Sequence, residues 1–263
     1  MVDGEDFFMN MSMSFTSNLC NKKDEKTIDS SFQDWMDKRF EETFKAIDEL
    51  YKSNQEKDNV SFLDDISRLV FPQKRDEQVR VSEQELRFLF VELFSKKCDD
   101  SNNYYYSVET PTKSENCFSG DTEMSARLDM TIHDKSGKRI CLIEFKNNSG
   151  TPESHWKDFV KLAKDFNELK DPQCLCYFVS IAKASDGGTI QNGKGEGIVR
   201  KFEEIKKMNR EESNLGKLFD HVTYICHSIE PKGKGFQTIY ARKGDNENNS
   251  LGWVLHNELF EDC

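Results

Sequence analysis

At 263 residues, 36% of them apolar and 32% charged, the chain can form one large domain or a core with an appendage, and it is well short of a disordered composition. A net charge of −11 excludes a generally basic coat for nucleic acid, while leaving room for a carboxylate metal site or a local basic groove. Asp3, Glu5 and Asp6 precede any basic residue, no run reaches membrane-span length, and the eight cysteines show no CxxC pair or zinc spacing. A secretory signal, a spanning helix and a structural zinc are therefore not expected, and a reducing cytoplasm is.

Residues 1–30 are polar, without sustained periodicity, and read as a mobile tail. From Ser31 to Lys52, Phe32, Trp35, Met36, Phe40, Phe44, Ile47 and Leu50 recur at three- and four-residue steps, which predicts a helix. A second helix is expected over Phe62–Val70, stopped by Pro72. These N-terminal helices (residues 31–72) either pack on the main domain or serve as an arm for a protein partner or a second copy. Gln73–Arg80 reads as a linker, and residues 82–263 as the main domain.

In that domain Ser82–Lys97 reads as a helix with Ser82 as its N-cap, and Tyr104–Thr110 as a strand ending at Pro111. Ala126–His133 and Arg139–Lys146 form a predicted hairpin around Lys135-Ser136-Gly137. Glu153–Leu169 reads as a helix and Cys174–Ala182 as a central strand. A glycine-rich loop (Ser185–Gly197), a helix (Ile198–Arg210) and strands His221–Ile229 and Phe236–Ala241 follow. The order is helix, three strands, helix, strand, an α/β fold.

Strand alternation puts Ile140, Leu142, Glu144 and Lys146 on one face, and Arg127, Asp129 and Thr131 on a face opposite Leu128, Met130 and Ile132. Pairing about the turn brings Asp129 across from Glu144 and Lys146. Two carboxylates can hold a hard cation with positions open for water and phosphate, and an ammonium beside them can orient water or stabilise developing negative charge. The alternative is a plain Glu–Lys ion pair on a strand end.

Leu128-Asp129, followed fifteen residues later by Glu144-Phe145-Lys146 behind the apolar Ile140–Ile143, resembles the PD-(D/E)xK nuclease superfamily. Leu128 stands where that motif has proline. The resemblance covers about Ser82–Ala184 and implies a restriction-endonuclease-like core (helix, three-stranded meander, helix, strand), here with an N-terminal helical extension. It implies a Mg²⁺- or Mn²⁺-dependent nuclease on DNA, less often RNA. Asp129, Glu144 and the Phe145 carbonyl would be metal ligands and Lys146 catalytic.

The family often adds a glutamate from the first helix. Glu85 is favoured by its place near the helix start, although it also completes a Ser82-x-x-Glu85 capping box; Glu92 and Glu109 are alternatives. Lys157, Lys161 and Lys164 form a basic stripe, either a phosphate-contacting face or a solvated one, with His155 just before it. Lys232 and Lys234 are a further phosphate-contact candidate. Gly188–Lys194 fits the start of a phosphate-binding loop, but Gly195 stands where a Ser or Thr hydroxyl is needed.

Overall fold

The computed structural model describes residues 30–55, 67, 69, 71, 82–98, 103–116, 124–147, 152–183, 221–229, 237–241 and 253–256. The expected tail up to Asp29, the Gln73–Arg80 linker, the Ser185–Gly197 loop, the Ile198–Arg210 helix and the Lys232–Lys234 turn lie outside these residues. The chain runs α1 (Ser30–Gln55), α2 (Glu83–Lys97), β1 (Tyr105–Asn116), β2 (Met124–His133), β3 (Arg139–Asn147), α3 (Pro152–Leu169), β4 (Leu175–Lys183), β5 (Val222–Ile229), β6 (Gln237–Ala241) and β7 (Trp253–His256). The strands form one mixed sheet in sequence order; β3, β4 and β5 are mutually parallel and the other neighbours antiparallel. The class is α/β, as the alternation of elements implies.

The β3–β4–β5 strands are buried on both faces, and their side chains sort by parity into two cores. Cys141, Ile143, Phe145, Tyr177, Val179 and Ile225 join α1 and α2; Leu142, Cys176, Phe178, Tyr224 and Cys226 join α3. Burial on both sides explains why these strands read as continuous apolar runs. The phenylalanines fill both layers: Phe40 stacks on Phe90 with centroids 4.7 Å apart, and Phe159 on Phe178 at 4.4 Å.

α1 is continuous with this core. Met36, Phe40, Phe44 and Ile47 are buried against α2 and the sheet, and two polar bonds fix the helix in place. Tyr177 donates its hydroxyl to Asp37 at 2.9 Å, and buried His227 meets Asp48 at 2.7 Å beneath the ring of Phe44.

Two expectations need correction. Ser67 and Leu69, the described residues within the helix expected over Phe62–Val70, have no regular structure. β1 does not end at Pro111 but continues to Asn116, with a register shift between Pro111 and Glu115. β1 is an edge strand, so a proline without an N–H leaves no ladder bond unmade on its open side. β7 was not expected at all.

The β2–β3 hairpin is built as its sequence suggests. Asp134 Oδ1 accepts from the Ser136 amide, the Ser136 hydroxyl and the Lys138 amide. Gly137 takes φ +81°, a conformation that strains a residue bearing a Cβ.

Candidate functional site

Asp129 stands where the β2–β3 ladder stops. The last paired residues at this end are Met130 and Ile143. Beyond them side chains replace backbone partners: the Asp129 amide donates to Glu144 Oε1 at 3.2 Å, and the Phe145 amide donates to Asp129 Oδ2 at 2.8 Å. In an extended strand a residue's amide and carbonyl point the same way, so the Phe145 carbonyl also turns toward this junction.

The opening breaks the alternation expected in β2. Leu128 packs into the α3-side core whereas Met130 and Ile132 pack on the α1–α2 side, so the three do not share a face. On the other flank, Val108 pairs with Met130 and Thr110 with Leu128, while Glu109 between them has φ +48°. A non-glycine residue held there costs on the order of 1–3 kcal/mol, and such strain clusters at functional sites. Asp129 therefore lies in a seam between the two layers rather than squarely on one face.

α3 closes the seam from one side. Its apolar stripe, Phe159, Leu162 and Phe166, seats it on the sheet, and the polar positions between reach the strand ends. Lys161 Nζ lies 2.8 Å from Glu144 Oε1 and 3.3 Å from Asp158 Oδ1, and Lys146 Nζ lies 2.6 Å from Asp158 Oδ2. From α2, Arg87 Nη1 lies 3.7 Å from Asp129 Oδ1 and 2.7 Å from Glu109 Oε1. Four carboxylates (Asp129, Glu144, Asp158, Glu109) are thus interleaved with three cations (Lys146, Lys161, Arg87).

Burial sets the electrostatics. Glu144 is 2% exposed, and burial, then the charge of Asp129, push its carboxyl well above the usual range against the opposing pull of Lys161. Burial also raises Asp129, although the Phe145 amide, Lys161 and Arg87 favour its ionised form. For the lysines burial acts downward and is outweighed. Glu144 and Asp158 leave Lys161 above its ordinary value, and Asp158 does the same for Lys146. Both stay ammonium ions at neutral pH.

Asp129, Glu144, Phe145 and Lys146 are therefore brought together. Glu85, favoured as a fourth acid, completes the α2 cap instead: its Oε2 accepts from the Ser82 amide at 2.9 Å and from the Ser82 hydroxyl. Glu92 accepts from the Ser67 hydroxyl and pairs with Lys96 at 2.9 Å. Glu109 is one guanidinium away from Asp129. The three lysines of the stripe differ, with Lys157 exposed, Lys164 half-buried and Lys161 buried on Glu144. His155 is fully buried beside Phe178.

Three contributors were not foreseen. Asp158 lies one helical turn before Lys161, a spacing that could have marked it as that lysine's partner. Arg87 joins residues distant in sequence, so nothing local marks it. Glu83, in the first turn of α2, is the acid of that helix whose charge acts on Lys146.

A hard cation would find its donors in the Phe145 carbonyl and in Asp129 Oδ1 and Glu144 Oε2, the carboxylate oxygens that accept neither backbone amide, with Arg87 Nη1 3.7 Å from the first. No group of three or more His, Cys, Asp or Glu side chains placed to hold a metal ion is found among the described residues. No helix among them is long and apolar enough to cross a membrane. No known protein family, curated protein or solved structure matches this chain.

Proposed function

We propose that the chain is a metal-dependent phosphodiester hydrolase acting on nucleic acid, DNA above RNA, built on a restriction-endonuclease-like core of the PD-(D/E)xK type. The observation that carries this is the meeting of Asp129 and Glu144 where the β2–β3 ladder opens, with Lys146 two residues along the same strand. The order α2, β1–β3, α3, β4 supports the fold assignment.

The donor set suits Mg²⁺ or Mn²⁺. Mg²⁺ typically takes one or two carboxylates and fills its octahedron with water and substrate phosphate, so three clustered acids are not required. Two raised carboxyls side by side are also a place where a cation relieves repulsion. A bound divalent ion would acidify a coordinated water and neutralise charge on the phosphoryl group. Lys146, kept charged by Asp158, would orient that water or stabilise the transition state. The free, mostly buried cysteines among the described residues fit a reducing, cytoplasmic compartment.

One observation favours a second reading, a catalytically inactive protein of the same fold that binds nucleic acid or a protein partner. The Lys161 ammonium already pairs with Glu144, so this carboxylate has a counter-ion without a metal. Purified protein incubated with Mg²⁺ or Mn²⁺ and linear, nicked, branched and single-stranded DNA, and RNA, separates the two. Cleavage that chelator abolishes supports the nuclease; intact substrate across the whole panel removes it.

A further inference from the structure

Lys161 occupies an unusual position for a helix lysine. Its side chain is 11% exposed, and its ammonium straddles two carboxylates on different elements, Glu144 on β3 and Asp158 on α3. Glu144 holds this ammonium on the same oxygen that accepts the Asp129 amide. A divalent ion arriving between Asp129 and Glu144 would come within a few ångströms of a fixed positive charge. Both cannot stay there without strong repulsion, because charges at this depth are weakly screened.

The geometry also supplies somewhere for the displaced ammonium to go. Asp158 Oδ1 is already 3.3 Å away on the preceding turn of the same helix, so Lys161 can leave Glu144 by a rotamer change without backbone movement. Asp158 Oδ2 meanwhile keeps Lys146 at 2.6 Å.

We propose that Lys161 is a built-in counter-ion that holds Glu144 until a divalent cation takes it, and that Asp158 is the seat to which the ammonium then moves. The inference rests on the metal-dependent function proposed above and adds how its site is regulated. The lysine keeps the metal-free protein folded around two buried carboxylates, and it weakens metal binding. Removing its charge should therefore strengthen metal binding while weakening the metal-free fold. Those opposite signs would not arise from a lysine that only packs, nor from one that only contacts phosphate.

The test is calorimetric titration of the full chain with Mn²⁺, alongside thermal melting in chelator and in Mn²⁺. Lys161→Met should bind Mn²⁺ on the order of tenfold more tightly than wild type. It should melt lower in chelator and gain more in Tm from Mn²⁺. Lys161→Gln, which keeps a hydrogen-bond donor, should show the same signs and serves if the methionine variant does not fold. Asp158→Asn should bind Mn²⁺ more weakly than wild type, since the ammonium loses its second seat. Variants at Lys161 that bind Mn²⁺ no more tightly than a wild type that does bind it overturn the inference and leave the metal site standing. An Asp158→Asn protein equal to wild type overturns the second seat. Silent titrations for wild type and variants alike remove the metal site, and this inference with it.

Discussion

Asp129 and Glu144 cross-link the strands that carry them: the Asp129 amide donates to the Glu144 carboxylate at 3.2 Å, and the Asp129 carboxylate accepts from the Phe145 amide at 2.8 Å. Both acids are thereby fixed by main chain on the neighbouring strand, leaving one oxygen of each outside these bonds. A carboxylate so held loses little freedom on binding a cation, a form of preorganisation. The same bonds make the pair part of the sheet, so its titration is coupled to stability.

That coupling has an unusual sign. Burial raises both carboxyls, and the charge of Asp129 adds to the strong rise of Glu144. A group whose pKa is higher in the folded state binds protons more readily there, so it favours folding as pH falls through its folded pKa toward the unfolded value, and opposes folding above that window. In chelator, denaturant unfolding of wild type and Glu144→Gln from neutral pH down to about 4.5 should show wild type gaining stability relative to the variant as pH falls. A pH-independent difference would mean that Glu144 titrates normally.

Asp165 should be among the costliest polar residues to lose. It is fully buried on α3, accepts from the Lys113 and Ser114 amides where β1 bends, and pairs with Arg139 Nη1 at 3.0 Å. Asp165→Ala would strand a largely buried guanidinium and two amides, costing about 3–5 kcal/mol. Asp165→Asn keeps an acceptor and should cost less. Urea unfolding of both variants checks the order and the size.

Phe40 tests whether α1 belongs to the domain's core. Its ring lies between Phe90 of α2 and Tyr177 of β4, with no exposure to solvent. Phe40→Ala should cost about 3–5 kcal/mol and preserve a single cooperative transition. Were α1 a detachable arm, the loss would be small, or a separate transition would appear.

Features with local causes were readable from the chain alone. The Ser82 cap, the Gly137 turn and the two-faced apolar strands each follow from residues a few positions apart, and Asp129 and Glu144 meet because a hairpin joins their strands. Features with distant causes were not. Pro111 marks a stop only if β1 is interior, and its edge position depends on the whole sheet. The break in alternation at Asp129 arises from the opening of the ladder, which leaves no trace in the pattern Leu128-Asp129-Met130. Lys161 looked like one of three equivalent lysines until α3 was placed against β3. The cap role of Glu85 and its candidacy as a fourth acid shared one sequence signal, and Ser82 was the partner the fold supplied.

The most direct measurement of the central claim is Mg²⁺-dependent cleavage of DNA by wild type and by Lys146→Ala, with the melting temperature of each recorded under the same conditions. Asp158 keeps its pair with Lys161 when Lys146 is removed, so Lys146→Ala should stay folded with a modest fall in melting temperature. The account predicts that wild type cuts with Mg²⁺ and not in chelator, while Lys146→Ala stays folded and loses at least about a hundredfold in rate. A folded Lys146→Ala that cuts as fast as wild type, or a wild type that cuts nothing, would contradict it.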